Sequence, residues 1–267
     1  MIPNLLTIAG VDPSGGAGIQ ADLKAFSALG GYGMSVVTGL TAQNTRGVRA
    51  VHGVPAAFVT QQLDAVFDDV RVDAVKIGML GTAEVVDAVA AVLAARRPPY
   101  VVLDPVMVAK SGDRLLTADS VAHLRDVLLP RVDLVTPNLP EAADLLGVPE
   151  AASEAEMREQ LDALRKLGPA VLLKGGHLAG PQCPDLLALP GSDAEPVRLM
   201  AARVDTTSDH GTGCTLSAAI AALRPQRPDW LTAVTEAKEY LTAALRAADR
   251  LTVGDGRGPV HHFHAWW

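Results

Sequence analysis

The sequence has little cysteine: two residues, Cys183 and Cys214, in a chain of 267. That excludes a disulfide-stapled scaffold. It has no excess of basic charge, with 23 Lys and Arg against 30 Asp and Glu and a net charge of −7. No global attraction to nucleic acid or to an anionic membrane follows from such a balance. An anionic substrate must then be held by local devices: helix N-termini, a few Lys or Arg residues, or a metal. Nor is there a long apolar run. The longest uncharged stretch, Ala25 to Thr45, is broken by Gly30, Gly31, Gly33 and Gly39, so no membrane span is expected. No basic segment precedes an apolar run near Met1, so no signal peptide is predicted. The expected compartment is a reducing cytoplasm with both thiols free.

Several motifs are missing too. The chain has no G-x-G-x-x-G, no G-x-x-x-x-G-K-[ST], no H-E-x-x-H and no C-x-x-C. A dinucleotide-dependent oxidoreductase is disfavoured because the first strand-to-helix turn lacks the required glycine spacing. The tail His261-His262-Phe263-His264 is a weak candidate for zinc without partners at ligand spacing. Repeats, low-complexity tracts and long linkers are absent, and the economical expectation is one domain over residues 1–267.

What is present is apolar substance, 49% hydrophobic against 20% charged residues. A chain of this length buries about three quarters of its unfolded surface. Short β-branched runs alternate with longer amphipathic ones. Strands are predicted at Leu5–Ala9, Met34–Thr41, Val75–Ile77, Tyr100–Leu103, Leu134–Thr136 and Ala170–Leu173. A further pair, Leu186–Leu189 and Val197–Met200, is joined by Pro190-Gly191. Helices are predicted near Gly18–Leu29, Pro55–Asp68, Thr82–Arg96, Ala118–Leu128, Gly213–Leu223 and Trp230–Ala248. Another, opened by a Ser153/Glu156 capping box, ends near Leu167. This order argues an α/β fold, a mostly parallel sheet with helices on both faces. Ligands then bind at the carboxyl ends of the strands.

Three loops at such ends carry the chemistry. Ala9-Gly10-Val11-Asp12-Pro13-Ser14-Gly15-Gly16-Ala17-Gly18 is either a tight turn or a backbone cradle for a ligand, with Asp22 one turn into the helix beyond. In Thr136-Pro137-Asn138-Leu139-Pro140-Glu141, Asn138 and Glu141 are either capping partners or oxygen donors for hydrated Mg²⁺. The third, Thr206-Thr207-Ser208-Asp209-His210-Gly211-Thr212-Gly213-Cys214, runs into an Ala-rich helix. Gly211 and Gly213 leave amides open at its N-terminus, an anion site that can stabilise a transferring phosphoryl group. Cys214 in the first turn is either a packed small hydrophobe or a thiol whose pKa the helix dipole lowers. Asp104 follows a buried strand. Lys174 is either a phosphate contact or a solvated lysine. The amide of Gln43 can both donate and accept.

Taken in order, these motifs resemble the bacterial hydroxymethylpyrimidine and phosphomethylpyrimidine kinases of thiamine biosynthesis. The resemblance runs from Ala9 to Asp22 through Gln43-Asn44-Thr45, Lys76-Ile77-Gly78-Met79-Leu80, Lys110-Ser111-Gly112-Asp113, Asn138-Leu139-Pro140-Glu141, Lys174-Gly175-Gly176-His177 and His210-Gly211-Thr212-Gly213-Cys214. It continues to the tail from Gly258 to Trp267. The resemblance implies a three-layer α/β/α ribokinase-like fold and an enzyme using ATP and Mg²⁺. The substrate would be 4-amino-5-hydroxymethyl-2-methylpyrimidine and then its monophosphate, giving the diphosphate. It implies Cys214 as base and the Gly211, Thr212, Gly213 backbone as anion hole. Gln43 would read the aminopyrimidine edge, with Met79 and Val106 against the ring and Gly10 and Asp22 nearby. Asn138 and Glu141, with Asp104, would organise Mg²⁺, partly through water, and Lys174 and Thr207 would lie at the nucleotide end. The Lys110–Arg114 loop would close over substrate. Many ribokinase-like enzymes carry Asp where this chain has Cys214. The resemblance also implies a small-molecule partner and a homodimer. A pyridoxal or pyridoxine kinase on the same scaffold is the rival activity, and a non-catalytic nucleotide-binding protein the rival class.

Overall fold

The computed structural model describes residues 1–107, 118–191 and 194–267. The expected Lys110–Arg114 loop lies outside the described residues. Nine strands form one sheet: β1 (Asn4–Gly10), β2 (Tyr32–Asn44), β3 (Gly47–Gly53), β4 (Ala74–Ile77), β5 (Val101–Leu103), β6 (Leu134–Val135), β7 (Ala170–Lys174), β8 (Gln182–Ala188) and β9 (Val197–Ala202). Their order is β3-β2-β1-β4-β5-β6-β7-β8-β9. From β2 to β7 all pairings are parallel, while β3, β8 and β9 add antiparallel edges.

Period-two alternation sends neighbouring side chains to opposite faces. Leu5, Val102, Leu134 and Leu172 pack with α1 (Gly18–Ala28), α7 (Thr212–Leu223) and α8 (Trp230–Arg246). Leu6, Ile8, Leu103, Val135 and Leu173 pack with α2 (Ala56–Phe67), α3 (Ala83–Arg96), α4 (Ala118–His123), α5 (Leu139–Leu146) and α6 (Glu154–Leu164). The result is the three-layer α/β/α arrangement. Helix α7 lies flat on the sheet because Ala218, Ala219, Ala221 and Ala222 are all fully buried and leave room for no bulk between backbone and strands.

Two expectations are modified. Strand β3 was not anticipated. It is an exposed edge strand whose sequence, Gly47-Val48-Arg49-Ala50-Val51-His52-Gly53, lacks an apolar face. At Ser153 the capping box is divided. Ser153 Oγ accepts from Glu156 N at 3.2 Å, but the returning carboxylate takes the Ala152 amide at 2.7 Å instead of that of Ser153. Among the described residues no helix is long and apolar enough to cross a membrane.

Candidate active site

The carboxyl ends of β1, β4, β5, β6 and β7 point toward one edge of the sheet, where the N-termini of α1, α5 and α7 also lie. Asp104 follows β5 and is 2% exposed. Lys174 closes β7 and reaches back to it, Nζ to Oδ1 at 3.0 Å, with Glu141 Oε2 at 3.9 Å. Gly213 stands over this cluster: a Cβ there would be 3.4 Å from both Asp104 Oδ2 and Lys174 Nζ. The predicted Asp104, Glu141, Lys174 and Gly213 are thus brought together. Burial opposes the Lys174 charge, but Asp104 and Glu141 hold it above the ordinary lysine range. Burial foremost, with the Asp104 charge, pushes the Glu141 carboxyl up to about 7 despite Lys174.

Asn138 takes the structural alternative. Its Oδ1 accepts from Glu141 N at 2.8 Å, and Glu141 Oε2 accepts from Asn138 N at 2.8 Å, a complete capping box for α5. Gly147 in the left-handed region, φ 68°, ends this helix.

Helix α7 begins without a side-chain cap. Its N-cap is Gly211, φ 80°, so the first-turn amides are not consumed by a neighbouring side chain. No other residue fits at 211: a Cβ would meet Gly16 O at 1.8 Å. The glycine thereby seats the start of α7 directly on the loop after β1. Cys214 follows, hydrogen-bonded by the backbone of Gly18. The residue is half-buried. Here the dipole expectation is corrected. Burial pushes the Cys214 thiol up to about 11, against the downward pull of Lys76. Here desolvation outweighs the helix terminus.

Lys76 itself was not singled out beforehand, though a lysine inside an otherwise apolar strand signals a buried counter-ion. Its Nζ bonds Asp22 Oδ2 at 2.9 Å with both side chains fully buried, and Thr7 Oγ1 donates to the same oxygen at 2.6 Å. Burial opposes the ammonium; Asp22 foremost, then Cys214 and Asp104, raise it above the ordinary range. Asp22 therefore lies beneath the pocket. Its Oδ1 is buried too and has no hydrogen-bond partner.

On the far side, Met79 Cε lies where a Cβ on Gly10 would be 2.4 Å away and one on Gly39 3.3 Å away. This brings Gly10 and Met79 together as a small apolar wall. Val106 sits in a tight turn, its amide donating to Asp104 O at 2.8 Å. Gln43, half-buried near the end of β2, has its amide nitrogen 3.4 Å from His210 Nε2. His210 is in turn 2.8 Å from Asp12 Oδ2. The Asp12–His210 pair was not foreseen, because its members are 198 positions apart. Thr207 is exposed on the loop entering α7.

With this geometry in place, the comparisons with known proteins are specific. The sequence profile of a family described as "Phosphomethylpyrimidine kinase" matches residues 12–261. The chain is similar to the hydroxymethylpyrimidine/phosphomethylpyrimidine kinase of Escherichia coli, 58% identical over 265 residues, covering 99% of this chain and 98% of the relative. Among solved structures it is similar to the pyridoxal kinase of Bacillus subtilis in its ADP complex, with TM-score 0.90, 33% identity and 99% of each chain covered. It is also similar to the phosphomethylpyrimidine kinase of Clostridium difficile, with TM-score 0.78, 39% identity, and 92% and 100% covered.

Proposed function

Because the chain belongs to the phosphomethylpyrimidine kinase family, we propose that the cleft at the carboxyl ends of β1 to β7 is its phosphotransfer site. The enzyme is a hydroxymethylpyrimidine/phosphomethylpyrimidine kinase, a phosphotransferase of thiamine biosynthesis. It phosphorylates the aminopyrimidine alcohol and then the resulting monophosphate. The observation that carries the assignment of the site is the convergence of the Asp104–Lys174 pair on Gly213 at the uncapped start of α7. Phosphoryl transfer demands positioning and charge stabilisation more than covalent chemistry. Gly211, Thr212 and Gly213 supply amides for the moving phosphoryl group. Lys174 supplies a cation for the nucleotide phosphates, and Thr207 serves the same nucleotide end. Gln43, Gly10, Met79 and Val106 hold the pyrimidine ring, with Asp22 below.

Cys214 first gives its own proton up to water, and the thiolate so formed takes the proton of the attacking hydroxyl. Its thiol at about 11 is a weak donor of its own proton and a strong base once deprotonated. The Lys76 ammonium beneath favours that deprotonated form.

For Mg²⁺ the donor set fits in part. Asp104 and Glu141 are hard oxygen donors flanking one ammonium, while Asn138 Oδ1 and Glu141 Oε2 each also accept one bond of the α5 capping box. Two carboxylates suit a hydrated ion that completes its shell with water and phosphate. Among the described residues there is no group of three or more His, Cys, Asp or Glu able to cage a metal. When bound, Mg²⁺ neutralises phosphate charge. Exposed Leu40, Val51 and Phe58 around the β3 edge support a homodimer of this single catalytic unit; sedimentation at equilibrium reads it. A cytoplasmic site of action follows from the expectation of free thiols.

The test is turnover of 4-amino-5-hydroxymethyl-2-methylpyrimidine with ATP and Mg²⁺, following mono- and diphosphate separately. Higher kcat/KM for pyridoxal would overturn the pyrimidine assignment. Retention of full activity in Gly213→Val would move the phosphotransfer site elsewhere.

A further inference from the structure

Lys174 carries its charge at the end of a flexible four-carbon stem, so where the ammonium arrives depends on how the backbone at its root is held. Two planar peptide groups flank its Cα. The first is tied on the β6 side, where Lys174 N donates to Pro137 O at 2.9 Å. The second is tied on the β8 side, and there by a side chain: Gly175 N donates to Asp185 Oδ1 at 3.0 Å in the interior. Asp185 stands opposite Lys174 in the antiparallel β7–β8 register. The residue before it in β8 is Pro184, whose carbonyl oxygen would lie 2.1 Å from a Cβ at position 175. Only glycine passes that carbonyl, and the Asp185 carboxylate receives the amide that emerges.

Asp185 is itself held from the helical layer. Its Oδ2 is paired with the ammonium of Lys238 on α8, which also donates to Cys183 O at 3.0 Å. Asp185 is 6% exposed and Lys238 9%. An ion pair so enclosed is a weak source of stability, since apolar residues of similar volume often serve as well or better. Apolar residues would, however, offer Gly175 no acceptor. Lys238 occupies Oδ2 and leaves Oδ1 aimed at the Gly175 amide. With both flanking peptide planes fixed, the Cα–Cβ bond of Lys174 has one direction. Its Nζ then reaches Asp104 Oδ1 at 3.0 Å and lies 3.4 Å from where a Cβ on Gly213 would stand.

We propose that Asp185, held by Lys238, is a positioning residue for phosphotransfer: through the Gly175 amide it aims the Lys174 ammonium at the nucleotide phosphates. This rests on the proposal that Lys174 serves the nucleotide end. The pair acts on the root of one side chain and makes no demand on the pyrimidine. Its loss is therefore felt in the affinity for ATP and not in the affinity for the alcohol. A pair kept for packing alone would change the melting temperature and leave both affinities where they were.

The experiment compares two charge-free replacements of the pair, so that no ion is stranded in the interior and both proteins fold. Asp185→Asn with Lys238→Met keeps an acceptor for Gly175 N; Asp185→Leu with Lys238→Met removes it. KM for ATP and KM for the pyrimidine alcohol are measured for each, with Tm alongside. Without the acceptor, KM for ATP should rise about threefold or more, toward the roughly tenfold that loss of the Lys174 contact itself would give, with KM for the alcohol unchanged. With the acceptor, KM for ATP should stay within about twofold of the parent enzyme, whatever the Tm. In a Lys174→Ala background, removing the acceptor should add nothing to KM for ATP. A further rise there would place the effect outside Lys174 and overturn the proposal, as would a rise in both KM values. If Lys174→Ala alone left KM for ATP unchanged, the nucleotide-end placement of Lys174 would fail first. If that variant raises KM for ATP but the two paired replacements match each other, the placement stands and the aiming role falls.

Discussion

Two Asp–Lys pairs stand at neighbouring strand ends and differ in one respect. Asp22–Lys76 is fully sealed, with both side chains at 0% exposure, whereas in Asp104–Lys174 the lysine is 14% exposed. In the first pair neither charge can exchange its partner for water or ligand. The energy of taking two ions out of water is met by their mutual attraction, by Thr7 and, for the ammonium, by nearby Cys214 and Asp104. In the second, Lys174 is shared between Asp104 and Glu141 and keeps some exposure, so it can meet an incoming phosphate while staying beside them. One pair is a fixed charge under the site and the other an exchangeable charge within it.

Lys76→Ala tests this contrast most severely. Breaking the sealed pair leaves an uncompensated carboxylate, and stability should fall by about 3–5 kcal/mol in urea denaturation. Lys174→Ala should cost less than half as much; equal losses would erase the distinction. Next in size, Cys214→Ser should lower kcat roughly 10²-fold, the range of a lost general base. Because the thiol at about 11 must lose its proton to act, kcat of the unaltered enzyme should rise from pH 7 toward pH 10, and the serine variant should lack that limb. A flat profile would take the thiol out of the proton transfer. Lys174→Ala should raise KM for ATP about tenfold, the worth of one charge-assisted contact, with KM for the pyrimidine little changed; the reverse pattern would place Lys174 at the wrong end.

The smallest effect concerns Glu141. Its carboxyl is raised from 4.5 to about 7, so the folded state favours the protonated form. Its contribution to stability is complete below pH 4.5 and is lost as pH rises through about 7. Glu141→Gln should therefore raise Tm by about 3 °C at pH 8 and leave it unchanged at pH 4, while weakening the Mg²⁺ dependence of turnover. A variant equally stabilised at both pH values would assign the gain to something other than charge.

The parallel strands were legible because a strand covered on both faces must read as an unbroken apolar run, as Val101–Leu103 and Ala170–Leu173 do. Strand β3 was not, since an edge strand with Arg49 and His52 among exposed neighbours carries no such requirement. Within the site, Gly211 and Gly213 announced an open helix start through local chemistry alone. The thiol of Cys214 was misjudged for the complementary reason. The helix dipole is a local property visible in the sequence, whereas the desolvation that overrides it depends on what α1 and the sheet place around the sulfur. Lys76 demanded an anion from inside a buried strand, yet nothing in the order of residues said that Asp22 would answer. The Asp12–His210 contact was hidden most deeply, because it exists only where two loops from opposite ends of the chain touch.

That touching has a temporal side. Gly211 rests on the Gly16 carbonyl, and His210 is bridged by backbone to Pro259. The phosphoryl cradle thus needs segments from the first, the penultimate and the last stretches to be made. During synthesis, a nascent chain can complete most of its sheet and remain chemically silent until the segment around Pro259 has emerged and docked. A chain cut before Pro259 should therefore lack the cradle's last support, and ATP is not spent by half-built copies.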